Sequence, residues 1–290
     1  MQKQTPPLVF INLDKDSERR TRIEGQLAHL GLPGERLPAV WWKRLPPAEQ
    51  SLLYSAERNH SQYYQPLVDG EKGCYASHIQ AWRQLLASDA PAMVVLEDDV
   101  VLEDAFASVV QAIAALGDDW DMVKLMGRPA GEKIRATRPL TASHRLIQYR
   151  RVPSFTAGYV VSRAGARKLL DSRVPFGRPI DIDLRFWWEN DLRILGVQPP
   201  RGAPRRDQPG QHHCRARHPR QLDHALAQTG HEGTPDLGQR TPPAHAKRPV
   251  AKATGQNRRK GLCSKRQQLS KQEWPGSYLR AIRWALNGRP

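Results

Sequence analysis

Glu97, Asp98 and Asp99 stand side by side directly after the apolar run Met93 to Leu96. A short run of this kind, rich in β-branched residues, predicts a buried strand. Its three carboxylates then emerge at the strand's C-terminal end, where open α/β sheets bind ligands. Adjacent acids repel one another, and a desolvated carboxylate is costly unless something positive pairs with it. A divalent cation carrying a diphosphate would meet that need, because Mg2+ and Mn2+ prefer oxygen ligands and are often shared with substrate phosphates. The same trio also suits a solvated acidic turn ahead of a helix starting near Leu102, with Asp98 or Asp99 as its cap.

Other residues of chemical interest lie at the ends of predicted elements. Asn12 closes the strand candidate Leu8 to Leu13, where it either bonds a ligand or simply ends the strand. Arg19 and Arg20 fall in the first turns of the next helix, where cations oppose the helix dipole. That placement is explained by a phosphate grip, with two solvated arginines as the alternative. Glu71 opens a helix that carries Ser77 and His78 two turns later. Neighbours on a helix do not face each other, so a Ser-His nucleophile pair is not supported. His78 is a sugar or phosphate contact or a hydrogen-bonded core histidine, and Cys74 reads as packing.

The elements that must position these residues alternate. Strands are predicted at Leu8–Leu13, Pro38–Trp42, Met93–Leu96, Asp121–Met126 and Leu192–Val197. Helices are predicted at about Asp16–Leu30, Pro46–Arg58, Glu71–Ser88, Leu102–Leu116 and Arg163–Asp171, from apolar spacing and caps. Asn59–Gly70 and Gly127–His144 read as loops, Phe155–Ser162 as small and apolar, and Asp181–Asn190 as amphipathic. This alternation predicts an α/β sandwich around a mostly parallel sheet.

The 290 residues form a two-part chain. Residues 196–290 hold 19 of the 45 Lys and Arg but only 5 of the 29 Asp and Glu, so nearly all of the formal +16 charge sits there. That segment lacks apolar periodicity, and we expect disorder over most of 198–272, with a short basic amphipathic helix in 273–290. Its Arg/Pro/His/Gln-rich makeup is what a GC-rich gene gives when read out of frame, so a frameshift near codon 200 is one origin for it. Basic segments bind nucleic-acid backbones non-specifically, but no zinc-finger or RNA-binding signature is present, and no specific nucleic acid is expected. Peripheral membrane contact through the basic tail is the compatible alternative. No apolar run reaches the roughly 18 residues of a transmembrane helix, and the N-terminus has no signal core. Cys74, Cys214 and Cys263 are far apart and odd in number, which predicts reduced thiols in a cytoplasmic protein. A metal-dependent phosphate hydrolase would need a second ligand cluster, and none is visible.

Four segments together resemble glycosyltransferase family 25, which includes bacterial lipopolysaccharide and lipooligosaccharide sugar transferases related to collagen galactosyltransferases. They are Val9–Leu13 with Asp16-Ser-Glu-Arg-Arg20; Gly70-Glu-Lys-Gly-Cys-Tyr-Ala-Ser-His78; the Glu97–Asp99 trio; and Thr156-Ala-Gly158-Tyr-Val-Val-Ser162 through Leu170, with Pro179-Ile-Asp181-Ile-Asp183 after it. The resemblance covers about residues 8–197 and implies a catalytic domain over 1–197. It implies a GT-A-like fold and transfer of galactose or glucose from a UDP-sugar, with inversion, to a lipid-linked oligosaccharide acceptor, at the cytoplasmic face of the inner membrane. It makes Asp99, with Asp98, the expected ligands of Mn2+ or Mg2+. Asn12, Arg19, His78, Glu97, Asp98 and Gly158 become expected nucleotide-sugar contacts. Inversion needs a carboxylate to take the acceptor hydroxyl's proton. Asp181 is the expected base, then Asp183 and Glu71; in an extended stretch the late pair would point the same way. Trp187 and Trp188 stack on a sugar ring or belong to the core.

Overall fold

The computed structural model describes residues 5–127 and 133–199. The expectations for the tail beyond residue 199, and for Cys214 and Cys263, lie outside the described residues. The elements run β1 (Leu8–Asn12), α1 (Ser17–His29), β2 (Glu35–Pro38), a 3-10 turn (Trp42–Arg44), α2 (Pro47–Leu53), α3 (Ala56–Gln62), α4 (Asp69–Ala87) and β3 (Ala92–Glu97). They continue with α5 (Phe106–Ala114), β4 (Met122–Lys124), β5 (Ile134–Pro139), β6 (Arg145–Tyr149), β7 (Gly158–Ser162), α6 (Arg163–Arg173), α7 (Ile180–Asp183), a second 3-10 segment (Leu184–Glu189) and β8 (Ile194–Gln198).

Among the described residues, the eight strands join one sheet in the order β2-β1-β3-β7-β4-β8-β6-β5. It is mixed, which corrects the expectation of a mostly parallel sheet. β2, β1 and β3 are parallel neighbours, as are β4 and β8. β7 runs antiparallel between β3 and β4, and β5 and β6 form an antiparallel hairpin on β8. Among the described residues between β4 and β7 there is no helix, only that hairpin.

Side-chain alternation along the strands feeds two cores. Val9, Ile11, Met93, Val95, Tyr159 and Val161 face the layer that holds α4 and α6. Leu8, Phe10, Val94, Leu96, Val123 and Val160 face α1 and α5. Several boundaries move from those expected. Trp41 and Trp42 leave the predicted second strand, Pro46–Arg58 divides into α2 and α3, and the predicted loop before His144 contains β5. Among the described residues, no helix is long and apolar enough to cross a membrane.

The far ends of β4 and β8 are locked by Asp121, which is fully buried. Its carboxylate accepts hydrogen bonds from Lys168 Nζ at 2.8 Å and from the backbone N, Nε and NH2 of Arg193 at 2.8–3.1 Å. Burial alone would raise its pKa, but the bonds from Arg193 and Lys168 outweigh that and hold it below the ordinary value. The first turn of α6 rests on the same corner, and a Cβ on Gly165 would come within 2.2 Å of the Asp121 carbonyl oxygen. Alanine ordinarily favours a helix over glycine by about 1 kcal/mol. Gly165→Ala should nevertheless destabilise the protein by about 1–3 kcal/mol, because backbone must move apart. A urea titration showing a gain in stability would contradict this close packing.

Candidate active site

β1 and β3 are parallel neighbours, with Ile11 opposite Glu97, so both chains leave the sheet at the same edge. There they open into a cleft of about 460 Å³. Its floor is Glu97–Asp99. One wall is Ala39–Lys43, and another is the α4 face bearing Gly73, Ser77 and His78; Lys15, Asp16 and Arg19 rim it.

The acidic turn is held in place by α1. Arg22 NH2 donates to the Asp98 carbonyl at 3.2 Å, and the Gln26 side chain bridges the Val100 carbonyl and the Leu102 amide. Asp98 is also satisfied: Asn12 Nδ2 donates to it at 2.7 Å and Arg19 NH1 at 3.2 Å. Burial still raises its pKa against those bonds. Asp99 is treated differently. It is buried, and its Oδ1 has no hydrogen-bond partner among the described residues. Burial, with the charge of Glu97 next, pushes its pKa up to about 6. Neither aspartate caps the following helix, since α5 begins only at Phe106, with Ala105 as its cap. The capping alternative therefore drops out. A desolvated carboxylate oxygen with no donor, beside two more acids, fits a divalent cation.

The α4 face works by helical spacing. Gly73 has no side chain because a Cβ there would approach the Val40 carbonyl oxygen at 2.6 Å. Ser77, one turn on, accepts the Val40 amide at 2.8 Å and donates to the Gly73 carbonyl. Together they press segment 39–42 against the helix and present Trp41 to the cleft. Trp41 is 40% exposed, with Lys15 Nζ 5.1 Å and the Arg44 guanidinium 5.3 Å from its ring. His78 is buried; its Nδ1 is 2.8 Å from the Tyr159 hydroxyl and its Nε2 is 3.6 Å from Glu97 Oε1.

The structure therefore brings Arg19, His78, Glu97, Asp98 and Asp99 to one cleft. Asn12 stands behind it, its amide bonded to Asp98 and the Asp16 carbonyl and its oxygen accepting from Arg36. Arg20 turns outward to Glu24. Glu71 is buried and accepts the Val68 amide at the start of α4. Gly158 is a packing glycine, since a Cβ would press on Leu96 and Met126. Asp181 and Asp183 are not among the cleft residues. Their stretch is the helix α7, not extended chain, so they do not share a direction. Asp183 lies in a buried network, accepting from Tyr75 Oη at 2.6 Å and Arg178 NH1 at 3.0 Å, with Arg173 at 3.5 Å. Trp187 and Trp188 are exposed, Trp187 lining a separate cavity beside Arg193. Cys74, His78 and Glu97 offer ligand atoms within 4.8 Å of one another. Sequence reasoning missed Trp41, Lys15, Arg44, Tyr159 and Trp82. An aromatic between cationic residues was the available signal for Trp41.

An α/β sheet with an acidic cleft at the open ends of adjacent parallel strands is the plan of a ligand-binding α/β domain. The family model described as glycosyltransferase family 25 (LPS biosynthesis protein) matches residues 5–184, and the chain belongs to that family. It is 30% identical to procollagen galactosyltransferase 1-B of Xenopus laevis over 183 residues, 60% of this chain and 29% of that protein. It is 29% identical to procollagen galactosyltransferase 1 of Danio rerio over 225 residues (69% and 37%). A glycosyltransferase 25 family member of Anopheles gambiae is 28% identical over 191 residues (63% and 32%). The matches span about a third of those relatives' length.

The Asp99 environment sets a stability test. A carboxyl whose folded pKa is about 6, against 3.8 ordinarily, binds more protons folded than unfolded between those values. Stability contributed by the protonated form is then lost as pH rises through about 6, at about 1.4 kcal/mol per pH unit. In metal-free buffer Asp99→Asn should raise stability by about 1–3 kcal/mol at pH 7, and the gain should shrink toward zero near pH 4. Urea titrations at the two pH values check both sign and window.

Proposed function

We propose that the chain is a glycosyltransferase that moves a hexose, galactose or glucose, from a UDP-sugar to a hydroxyl of a saccharide acceptor. The observation that carries this reading is Asp99 Oδ1, buried without a donor, on the floor of a cleft that also offers an aromatic platform and cations. We read the domain as GT-A-like. Trp41 suits a uracil ring, and Arg19 and Lys15 suit the diphosphate. Asp99, with Asp98 and Glu97 beside it, would hold Mn2+ or Mg2+. Such an ion neutralises charge on a departing diphosphate without a proton.

The remaining work belongs to the chain's own groups. Asn12, Arg19 and Arg22 fix Asp98, and the α4 face shapes the sugar side of the cleft. Inversion needs a carboxylate near the attacking hydroxyl. Glu97 and Asp69 face this cleft, whereas Asp181, Asp183 and Glu71 stand outside it. For the acceptor we propose a lipopolysaccharide or lipooligosaccharide saccharide, supported by the family's description, with the basic tail assisting contact with a membrane surface. The nucleic-acid reading has no supporting feature in the cleft.

Calorimetry with UDP and Mn2+ tests the reading on the full chain. Wild type should bind UDP only with metal present, and Asp99→Ala should abolish the metal-dependent part. Folded wild type that ignores UDP under both conditions would refute the donor site. Trp41→Ala should weaken UDP by about tenfold, the worth of one base–aromatic stack. It should leave Mn2+ binding, followed by electron paramagnetic resonance, unchanged.

A further inference from the structure

Behind the cleft runs a hydrogen-bond chain whose direction is set by chemistry. Trp82 Nε1 lies 2.9 Å from the Tyr159 hydroxyl, and that hydroxyl lies 2.8 Å from His78 Nδ1. All three side chains are buried at 1% exposure or less. An indole N–H can only donate, so Trp82 occupies one acceptor position of the Tyr159 oxygen. The hydroxyl proton must then go elsewhere. The available acceptor is His78 Nδ1, and any other arrangement strands a buried O–H, at a cost of about 1–3 kcal/mol. An imidazole that donated from Nδ1 would strand that proton, and so would an imidazolium donating from both nitrogens.

We infer that Trp82 and Tyr159 are positioning residues that hold His78 as the neutral tautomer with its proton on Nε2, aimed into the cleft as a hydrogen-bond donor. This Nε2 is buried and has no hydrogen-bond partner among the described residues. Glu97 Oε1, at 3.6 Å, is beyond hydrogen-bond distance. A donor of fixed direction beside an acidic floor selects an oxygen acceptor. With the cleft read as a sugar-nucleotide site, on which this part of the inference rests, that oxygen is a phosphate oxygen or a hexose hydroxyl. The same tautomer rules His78 out as a metal ligand, because a ligating imidazole nitrogen needs a free lone pair. The cation site then rests on the carboxylates rather than on His78.

Nuclear magnetic resonance of the full chain with 15N-labelled histidine reads the tautomer directly. The His78 signals, identified by their loss in His78→Gln, should show an unprotonated Nδ1 and a protonated Nε2. Adding UDP-galactose with Mg2+ should shift the Nε2 signal. Trp82→Phe, which removes the directing donor without touching the cleft, should give a mixture of tautomers and weaken UDP-galactose about threefold to tenfold. His78→Ala should lose about tenfold, and His78→Gln, whose amide N–H reaches as Nε2 does, should stay within about threefold of wild type. Equal losses for UDP and UDP-galactose place the acceptor oxygen on the diphosphate; a loss for UDP-galactose alone places it on the hexose. A protonated Nδ1 in wild type with UDP binding intact overturns the relay and leaves the donor site standing. The expected tautomer with no binding of either nucleotide overturns the assigned ligand together with the donor-site reading. His78→Gln as weak as His78→Ala, or His78→Ala as tight as wild type, overturns the donor role.

Discussion

Burying two aspartates at the open end of β3 is the constraint around which this molecule is arranged. A carboxylate taken out of water must find donors or cations, or give up its charge. The parallel pairing of β1 and β3 puts Asn12 beside Asp98, and α1, which follows β1 directly, turns Arg19, Arg22 and Gln26 onto the same turn. One strand pairing and one helix face therefore secure the backbone of the acidic turn and the Asp98 side chain. They leave Asp99 Oδ1 aside. Negative charge remains at one point in an otherwise well-compensated corner.

Helix α4 shows how a regular period can serve packing and site together. Positions 73 and 77 lie one turn apart and face segment 39–42, which is why one is glycine and the other a small hydroxyl residue. Positions 78 and 82 lie one turn apart on an adjacent stripe and both reach the hydroxyl of Tyr159. Tyr159 is in place because β7 runs antiparallel next to β3, with Tyr159 opposite Val95. The mixed topology is therefore part of the site's construction.

That same topology explains what could and could not be read from the chain. β1, β3 and α4 were legible because each buries a face and so carries an apolar period. The trio Glu97–Asp99 was legible because three acids after an apolar run have few structural uses. β5 was not, since Ile134–Pro139 is an exposed edge strand whose charged residues match a loop as well as a strand. The antiparallel placement of β7 between β3 and β4 is a long-range pairing and has no local signature. The helical turn at Ile180–Asp183 begins directly after Pro179, whereas the alternating Ile-Asp-Ile-Asp pattern suits an extended stretch as well. Tyr159 acquires its role only from His78 and Trp82, both distant in sequence, which no window along the chain contains.

The other buried acids supply an internal comparison. Asp121 is fully buried, yet Lys168 and Arg193 close around both of its oxygens and its pKa falls. Asp183 is nearly as buried, and a tyrosine and two arginines surround it. In both places α6 supplies one cation, Lys168 or Arg173, and a non-helical segment the other, Arg193 or Arg178, so this fold surrounds an interior carboxylate with donors where one serves structure. Arg19 and Arg22 are close enough to Asp99 to lower its pKa, but burial and Glu97 outweigh them, and neither donates to its Oδ1. A general tolerance for buried charge would leave all three aspartates alike. The exception at Asp99, in an acidic turn that faces an open cleft, is the arrangement expected where the compensating charge arrives with a ligand.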